Sequence, residues 1–184
     1  MQARRLSLPY TAAVHVAQCR LIHTTTMAAP LLIERIEARI LDIPTIRPHK
    51  LSFGAISRQS PVIVQVWLKD GATGFGEAAT IGGPSWNEES PESIYQAITQ
   101  HLAPAMLQHD ASHTEACLLR MNLACKGNAF AKSAVEMALL DAVARSYQLP
   151  LWQLLGGKVR ESLPLAWTLA SGDIDRDLEE AQLR

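Results

Sequence analysis

The cysteine and histidine residues are the first candidates for chemistry in this sequence, but their spacing does not define a site. The three cysteines contain no CxxC pair, and the six histidines do not lie at ligand spacing from Cys19, Cys117 or Cys125. Zinc sites built from these residue types need closely paired ligands. The sequence therefore predicts reduced, cytoplasmic thiols and no metal site formed by this chain.

The charged residues are nearly balanced and scattered. Lys and Arg number 17 against 18 Asp and Glu, which gives a formal net charge of −1 over 184 residues. Nucleic acids and anionic membranes bind clustered basic residues, and a spanning helix needs about 18 consecutive apolar residues. Neither pattern is present, so a nucleic-acid partner and a membrane anchor are not expected.

The first 26 residues differ from the rest because they contain no acidic residue but include Arg4, Arg5 and Arg20. Starts of this composition are typical of organelle transit peptides. Met27 stands directly before the first periodic segment, so an upstream start codon chosen in error is the alternative explanation. Under either interpretation residues 1–30 are predicted to be a disordered extension.

Three antiparallel strands are predicted in the first half of the chain. Residues Ile33–Ile43 alternate between apolar and charged side chains, the period of a half-buried strand. Pro61–Lys69 and Ala72–Thr80 flank Asp70-Gly71, which favours a hairpin. The proline-bearing segment Thr45–Lys50 is predicted to be a loop that continues neither a strand nor a helix.

Helices are predicted in the second half, and strands followed by helices are typical of an α+β domain. The first begins at Ser90 as N-cap and runs to about Leu107, and Ser112-x-x-Glu115 predicts a capping box for the second, which runs to about Ala124. The third runs from near Asn128 to before Pro150. Its expected buried positions are Phe130, Ala134, Met137, Ala138, Leu140 and Ala142. A helical turn at Leu151–Leu155 ends at Gly156-Gly157.

Several stretches in this order resemble the N-terminal capping domain of the enolase superfamily, in its muconate lactonizing subgroup. The stretches typical of the superfamily are Asp70-Gly71 with Gly74-Phe-Gly-Glu77, Ala134–Ala142 and Leu149–Gly157. Those that favour the subgroup are Ile46–Leu51, Thr80–Gly83, Lys126–Ser133 and Ala166–Asp173. The resemblance implies a capping domain over residues 31–160, a three-stranded antiparallel sheet followed by a helical bundle. Residues 161–184 then correspond to the first strand, Leu163–Ala170, and a partial helix of a (β/α)8 barrel.

The reaction implied by this resemblance is the conversion of cis,cis-muconate to muconolactone in aromatic degradation, by an intramolecular lyase of the isomerase class. It passes through an enolate and uses Mn²⁺ or Mg²⁺, a Lys-x-Lys pair and acidic metal ligands, all of them on the barrel. A barrel needs about 250 residues, whereas 24 residues follow Arg160, and the five lysines include no Lys-x-Lys pair. The chain is therefore expected to be the front part of a homo-oligomeric enzyme and to be inactive alone.

Two loops, Thr45–Phe53 and Thr80–Asn87, are implied to close over the barrel mouth and to exclude water from the substrate, a small dicarboxylate. In this interpretation His49 donates a hydrogen bond to a carboxylate, Ile81 forms an apolar wall, and Trp86 stands where some relatives carry Tyr. The alternative is that His49 is a solvated surface residue and that the other two pack on the sheet. The implied substrate-binding residues are His49, Ile81, Trp86 and Thr168.

Two other functional interpretations remain open. One keeps the superfamily but changes the reaction to that of a chloromuconate cycloisomerase, an epimerase, a racemase or a dehydratase. The other is a non-catalytic binding or assembly module. A lone barrel strand exposes unpaired edges and an apolar face, which favours aggregation. A monodisperse chain would therefore favour the module.

Overall fold

Five strands form two antiparallel sheets in the computed structural model, which describes residues 29–51, 54–81, 83–169 and 171–183. They are β1 (Ile33–Ile40), β2 (Ile43–Leu51), β3 (Gly54–Gln59), β4 (Val62–Leu68) and β5 (Thr73–Ala78). The three-stranded sheet has the order β1-β4-β5, so the predicted sheet is confirmed. The predicted disordered extension over residues 1–30 lies almost wholly outside the described residues.

The central strand β4 shows why this sheet forms. Val62, Val64, Val66 and Leu68 are buried, whereas the residues between them are partly exposed. This period of two places one face of the sheet against the helices and leaves the other towards solvent. The turn from β4 to β5 uses Gly71 at φ 93°, and the Asp70 carboxylate accepts a hydrogen bond from the Ala72 N–H at 3.0 Å.

The prediction of a loop over Thr45–Lys50 is wrong, because this segment lies within β2, which pairs with β3 in a separate hairpin. The register shifts between Pro44 and His49, and Pro48 lies within this irregular stretch. Proline lacks an N–H donor and is tolerated at bulges and at the edges of sheets. A two-stranded sheet is all edge, so the prolines do not prevent strand formation.

Six α-helices follow the strands in the described part of the chain. They are α1 (Pro91–Ala97), α2 (Ala103–Met106), α3 (Thr114–Ala124), α4 (Ala129–Ser146), α5 (Leu151–Leu154) and α6 (Ile174–Leu183). A π-helical turn, Ile98–Leu102, joins α1 to α2, so the predicted first helix is present but wider in its middle. Pro104 explains the wide turn because its ring removes a donor and clashes with the carbonyl four residues earlier. None of the helices in these ranges is long and apolar enough to cross a membrane.

The two predicted helix caps have different outcomes. Ser90 is the N-cap of α1, and its hydroxyl accepts the Ser93 N–H at 3.2 Å while the Ser93 hydroxyl accepts the Ser90 N–H at 2.9 Å. The prediction of a capping box at Ser112 is wrong. The Ser112 hydroxyl donates to Asp110 Oδ1 at 2.7 Å, and α3 starts at Thr114 without a side-chain cap. Because α3 begins at Thr114, His113 occupies the N-cap position and Ser112 lies one residue before it.

Helix α4 packs directly on β5, and this contact decides which of its residues are buried. Ala134, Ala138 and Ala142 are fully buried as predicted. Phe130 and Met137 are 37% and 39% exposed, so their predicted burial is wrong, and Leu140 is half-buried. The helix approaches the glycines of β5 so closely that alanines occupy the contact and larger side chains lie beside it.

The segment after α5 contains the predicted helix but no paired strand. Helix α6 is present, whereas residues 163–169 belong to neither of the two sheets. A strand is defined by its hydrogen-bonded neighbour. The described residues place no such neighbour beside this segment, so residues 163–169 do not form the strand predicted over Leu163–Ala170, and Ala170 lies outside the described residues.

Candidate functional site

A cleft of about 550 Å³ lies where three distant parts of the chain meet. The hairpin β2–β3 contributes one wall, and Ile81 after β5 contributes another. The third consists of Trp167 and Thr168 together with Glu180 of α6. Its lining residues are Ile43, Pro44, Thr45, Ile46, Arg47, His49, Gln59, Ile81, Trp167, Thr168 and Glu180.

Three of the four residues predicted to contact a substrate line this cleft. His49 lies in β2, Ile81 lies in the loop after β5 and is 43% exposed, and Thr168 lies before α6. Trp86 is not among the lining residues and is 58% exposed. The backbone N–H of Trp86 donates to the Gly83 carbonyl at 2.9 Å, at the end of a short 3₁₀ turn. The structure thus brings His49, Ile81 and Thr168 together and leaves Trp86 outside the cleft.

A charged network closes one side of the cleft. The Arg47 guanidinium forms an ion pair with the Glu180 carboxylate and donates to the Thr168 carbonyl at 3.3 Å. The Trp167 indole N–H donates to the other oxygen of Glu180 at 3.0 Å. The charge of Arg47 also reaches Asp177, whose pKa is lowered first by hydrogen bonds from the Ser171 hydroxyl and N–H and then by this cation.

Sequence reasoning missed this network. Arg47 lies inside the segment predicted to be a loop, and Glu180 follows it by 133 positions. No local spacing connects two residues so far apart. The only available signal was that the resemblance placed both Arg47 and Thr168 in segments implied to face each other.

The remaining cleft walls are mainly apolar, with one unusual hydroxyl. Ile43, Pro44 and Ile46 lie along β2, and Ile46 is fully exposed. Thr45 Oγ1 is buried and has no hydrogen-bond partner among the described residues. A buried hydroxyl without a partner is costly, but this oxygen is not accessible from the cleft. The cleft therefore suits a small ligand with a hydrocarbon body and an oxygen that can pair with His49.

The residues described here do not supply a metal site. In these ranges no three His, Cys, Asp or Glu side chains lie close enough together to hold an ion. The divalent cation implied by the family resemblance therefore does not fit the cleft as this chain builds it. No catalytic step through a metal is derived from these residues.

The sheet, the helical bundle and the cleft at the hairpin define an α+β capping domain of the enolase-superfamily type. A sequence profile of the mandelate racemase / muconate lactonizing enzyme N-terminal domain matches residues 35–156. The chain belongs to this family, which confirms the resemblance predicted from the sequence.

Similar proteins agree with this family assignment. Muconate cycloisomerase 1 of Pseudomonas putida is 52% identical over 154 residues, 83% of this chain and 41% of that protein. A chloromuconate cycloisomerase of Cupriavidus pinatubonensis is 47% identical over 149 residues, 81% of this chain and 40% of that protein. The crystal structure of a muconate lactonizing enzyme from Pseudomonas fluorescens with muconolactone superposes with a TM-score of 0.81 at 47% identity, covering 84% of this chain and 42% of that one. The chain thus spans about two fifths of the length of the relatives it matches.

Proposed function

We propose that this chain is the capping part of a muconate cycloisomerase, which converts cis,cis-muconate to muconolactone. The observation that carries the proposal is the convergence of His49, Ile81 and Thr168 on one cleft. The relatives named muconate cycloisomerase support the same reaction. The substrate is a small dicarboxylate, and a cleft with a hydrocarbon wall and hydrogen-bonding groups at one end has matching chemistry.

The residues of this chain have binding roles in the proposed mechanism. His49 hydrogen-bonds one carboxylate, while Ile46 and Ile81 cover the carbon chain and exclude water from the enolate. The proton transfer and the manganese or magnesium ion belong to parts of the whole protein other than these residues. A full-length enzyme is then expected to be a cytoplasmic homo-oligomer, and the free thiols of Cys117 and Cys125 agree with a reducing compartment.

A chlorinated muconate is the second candidate substrate. Chloromuconate cycloisomerases are 45% to 47% identical to this chain, close to the values for several muconate cycloisomerases. Comparing kcat/KM for muconate and 3-chloromuconate would decide between the two substrates.

The first experiment is a graft in which residues 31–184 replace the matching part of the Pseudomonas putida muconate cycloisomerase. We expect manganese-dependent formation of muconolactone, and we expect His49→Ala in the graft to lower kcat/KM about tenfold or more, because a hydrogen bond to a charged group is lost. His101→Ala is the matched control, since this histidine is exposed on the helical side away from the cleft residues. A folded graft that acts as an epimerase or dehydratase, and not on either muconate, would refute the proposal.

The second experiment uses the 184-residue chain alone. With manganese and cis,cis-muconate we expect no muconolactone above background, because its lysines include no Lys-x-Lys pair. Absorbance of muconate over time measures this directly. Turnover by the isolated chain would show that acid–base groups of this chain are sufficient, against the proposed division of roles.

A further inference from the structure

We propose that Arg47 is a positioning residue that ties the β2–β3 hairpin to the segment 167–180 and thereby sets the shape of the cleft. The inference deepens the proposed function and rests on it for the identity of the ligand. The tie itself is a property of the chain without any ligand.

The geometry joins two parts of the chain through one carboxylate. Glu180 accepts from Arg47 with one oxygen and from the Trp167 indole N–H with the other, at 3.0 Å for the indole. The Arg47 guanidinium uses a second nitrogen on the Thr168 carbonyl at 3.3 Å. Because a planar guanidinium has several donors in fixed directions, it can hold a side chain and a carbonyl together, which an ammonium group does less well.

The ion pair is also better shielded from water than the other ion pairs of the strands. The side chains of Arg47 and Glu180 are 37% and 17% exposed, compared with 76% and 34% for Arg39 and Glu37. Fully exposed pairs contribute little because water and salt screen them. An ion pair that is partly shielded from water and supported by a further hydrogen bond is expected to contribute more to the stability of the hairpin than an exposed pair.

The hairpin needs such a tie. Within the described ranges, strands β2 and β3 pair only with each other and form a sheet of their own. An isolated two-stranded hairpin is marginally stable in water. Lys50 makes a second contact with the same region. A Cβ placed on Gly172 would lie 3.0 Å from its Nζ, so the lysine lies against the backbone there.

The consequence for the cleft follows from the positions of the neighbours of Arg47. Thr45, Ile46 and His49 lie within two residues of it and all line the cleft. If the hairpin is released from Glu180, these three lining residues move together. Arg47 thus acts on ligand binding through the hairpin and does not need to contact the ligand.

Hydrogen exchange of the full 184-residue chain without ligand tests the tie. We expect Arg47→Ala and Glu180→Ala each to accelerate exchange of the amides in residues 43–51 about tenfold, and the double variant to add little, because both remove the same interaction. Arg39→Ala is the matched control and should leave these amides unchanged. Amides of β4 serve as the internal reference for global unfolding.

Two further variants keep the test decisive if an alanine variant fails to fold. Arg47→Lys keeps the charge but cannot hold Glu180 and the Thr168 carbonyl together as a guanidinium does. The exchange rate of the amides in residues 43–51 should therefore lie between those of wild type and Arg47→Ala. The exchanged pair Arg47→Glu with Glu180→Arg should restore part of the protection. Unchanged exchange in Arg47→Ala, or strictly additive effects of the two alanine variants, would overturn the proposal.

The graft then separates the tie from the identity of the ligand. In an active graft, Arg47→Ala should raise KM for muconate more than it lowers kcat, and the exchanged pair should recover part of KM. Altered exchange together with a folded graft that acts as an epimerase or dehydratase, and not on either muconate, would leave the tie standing and refute the proposed function. An active graft with unchanged exchange and KM in Arg47→Ala would refute the tie alone.

Discussion

Glu89 is a buried acid with a structural task that its sequence position does not reveal. It is 3% exposed, and its two carboxylate oxygens accept the N–H groups of Phe130 at 2.9 Å and Ala131 at 3.3 Å. These are among the first amides of α4, whose own N-cap, Asn128, makes no capping bond. A carboxylate at this end also matches the helix dipole. Glu89 therefore caps a helix that begins 40 residues later.

Replacing Glu89 by alanine is expected to destabilise the chain by about 1–3 kcal/mol, because a part-buried amide at Phe130 and a buried amide at Ala131 lose their acceptor. Glu89→Gln should cost less, since the amide oxygen can still accept one bond. Urea unfolding monitored by circular dichroism measures both changes. Glu88→Ala is the control because Glu88 is adjacent in the sequence and its side chain is exposed. Equal stability of Glu88→Ala and Glu89→Ala would contradict the capping role.

Gly74 and Gly76 are required by contact with the α4 backbone. A Cβ at Gly76 would lie 1.9 Å from the Ala134 carbonyl oxygen, and one at Gly74 would lie 2.2 Å from that of Ala138. These are overlaps with backbone atoms of a helix, which cannot move aside as a flexible side chain can. The pair of glycines thus fixes how closely the strand and the helix approach.

Gly76→Ala is expected to cost about 3 kcal/mol or more, since overpacking at a rigid contact forces strand and helix apart. Thermal unfolding of the variant gives this value. Phe75→Ala, in the same strand on the outer face and 48% exposed in wild type, is the matched control. A loss for Gly76→Ala no larger than that for Phe75→Ala would show that the contact is not rigid.

The turn between α2 and α3 depends on the ionised form of Asp110. Its carboxylate accepts the N–H of Leu31 at 3.1 Å and both the N–H and the hydroxyl of Ser112. Partial burial raises the pKa of Asp110, but these hydrogen bonds outweigh burial and lower it below its ordinary value of 3.8. A lowered pKa stabilises the fold above the ordinary value, and the contribution is lost as pH falls through the folded value.

We therefore expect stability to decrease as pH falls below about 4, and Asp110→Asn to remove part of this decrease. The midpoint of urea unfolding across this acid range measures both. Asp175→Asn on α6 is the control, since its side chain is exposed. An unchanged acid slope in Asp110→Asn would show that the lowered pKa does not contribute to stability.

Local signals account for the elements that the sequence predicted correctly. Alternation along β1 and β4, the Asp70-Gly71 turn and the Ser90 cap each depend on neighbours within a few residues. The β2–β3 hairpin was missed because the prolines argue against a strand, and the bulge that accommodates them depends on the partner strand. Phe130 and Met137 were misplaced because the periodicity of a helix does not reveal how closely its partner approaches.

The candidate site was predictable only to the extent that the family resemblance reaches. It brought His49, Ile81 and Thr168 together, whereas apolar periodicity alone would have left them in unrelated segments. No local sequence pattern indicates the ion pair between Arg47 and Glu180, which became apparent only from the three-dimensional structure. Whether any of the three cleft residues, or Trp86, contacts a substrate stays a prediction.

Several large apolar side chains are exposed towards the carboxyl end of the described residues. Val159 is 96% exposed, Leu163 72%, Leu165 94% and Ile174 79%. Single exposed apolar residues are ordinary, but several large ones exposed within one stretch of chain favour association with another surface.

We expect the isolated 184-residue chain to associate with itself as its concentration rises and to bind a hydrophobic dye. Replacing Leu163 and Leu165 by Glu together should reduce both effects. Light scattering after size exclusion measures the association. Leu123→Glu on α3, at a site 73% exposed, is the control. A monodisperse wild-type chain would favour the alternative of a self-contained binding module.

The contact between β5 and α4 has a consequence for how this domain can diversify. The loop from Thr80 to Glu89 begins just after β5 and ends on the first amides of α4, and the glycine contact holds these two elements at a fixed separation. Both ends of the loop are therefore anchored to one rigid frame. Exposed residues between the anchors, such as Pro84 and Glu88, can therefore be exchanged, and a library randomised at these two positions should retain the fold in most members. Selection for a new substrate can then act on the loop without disturbing the frame that carries it.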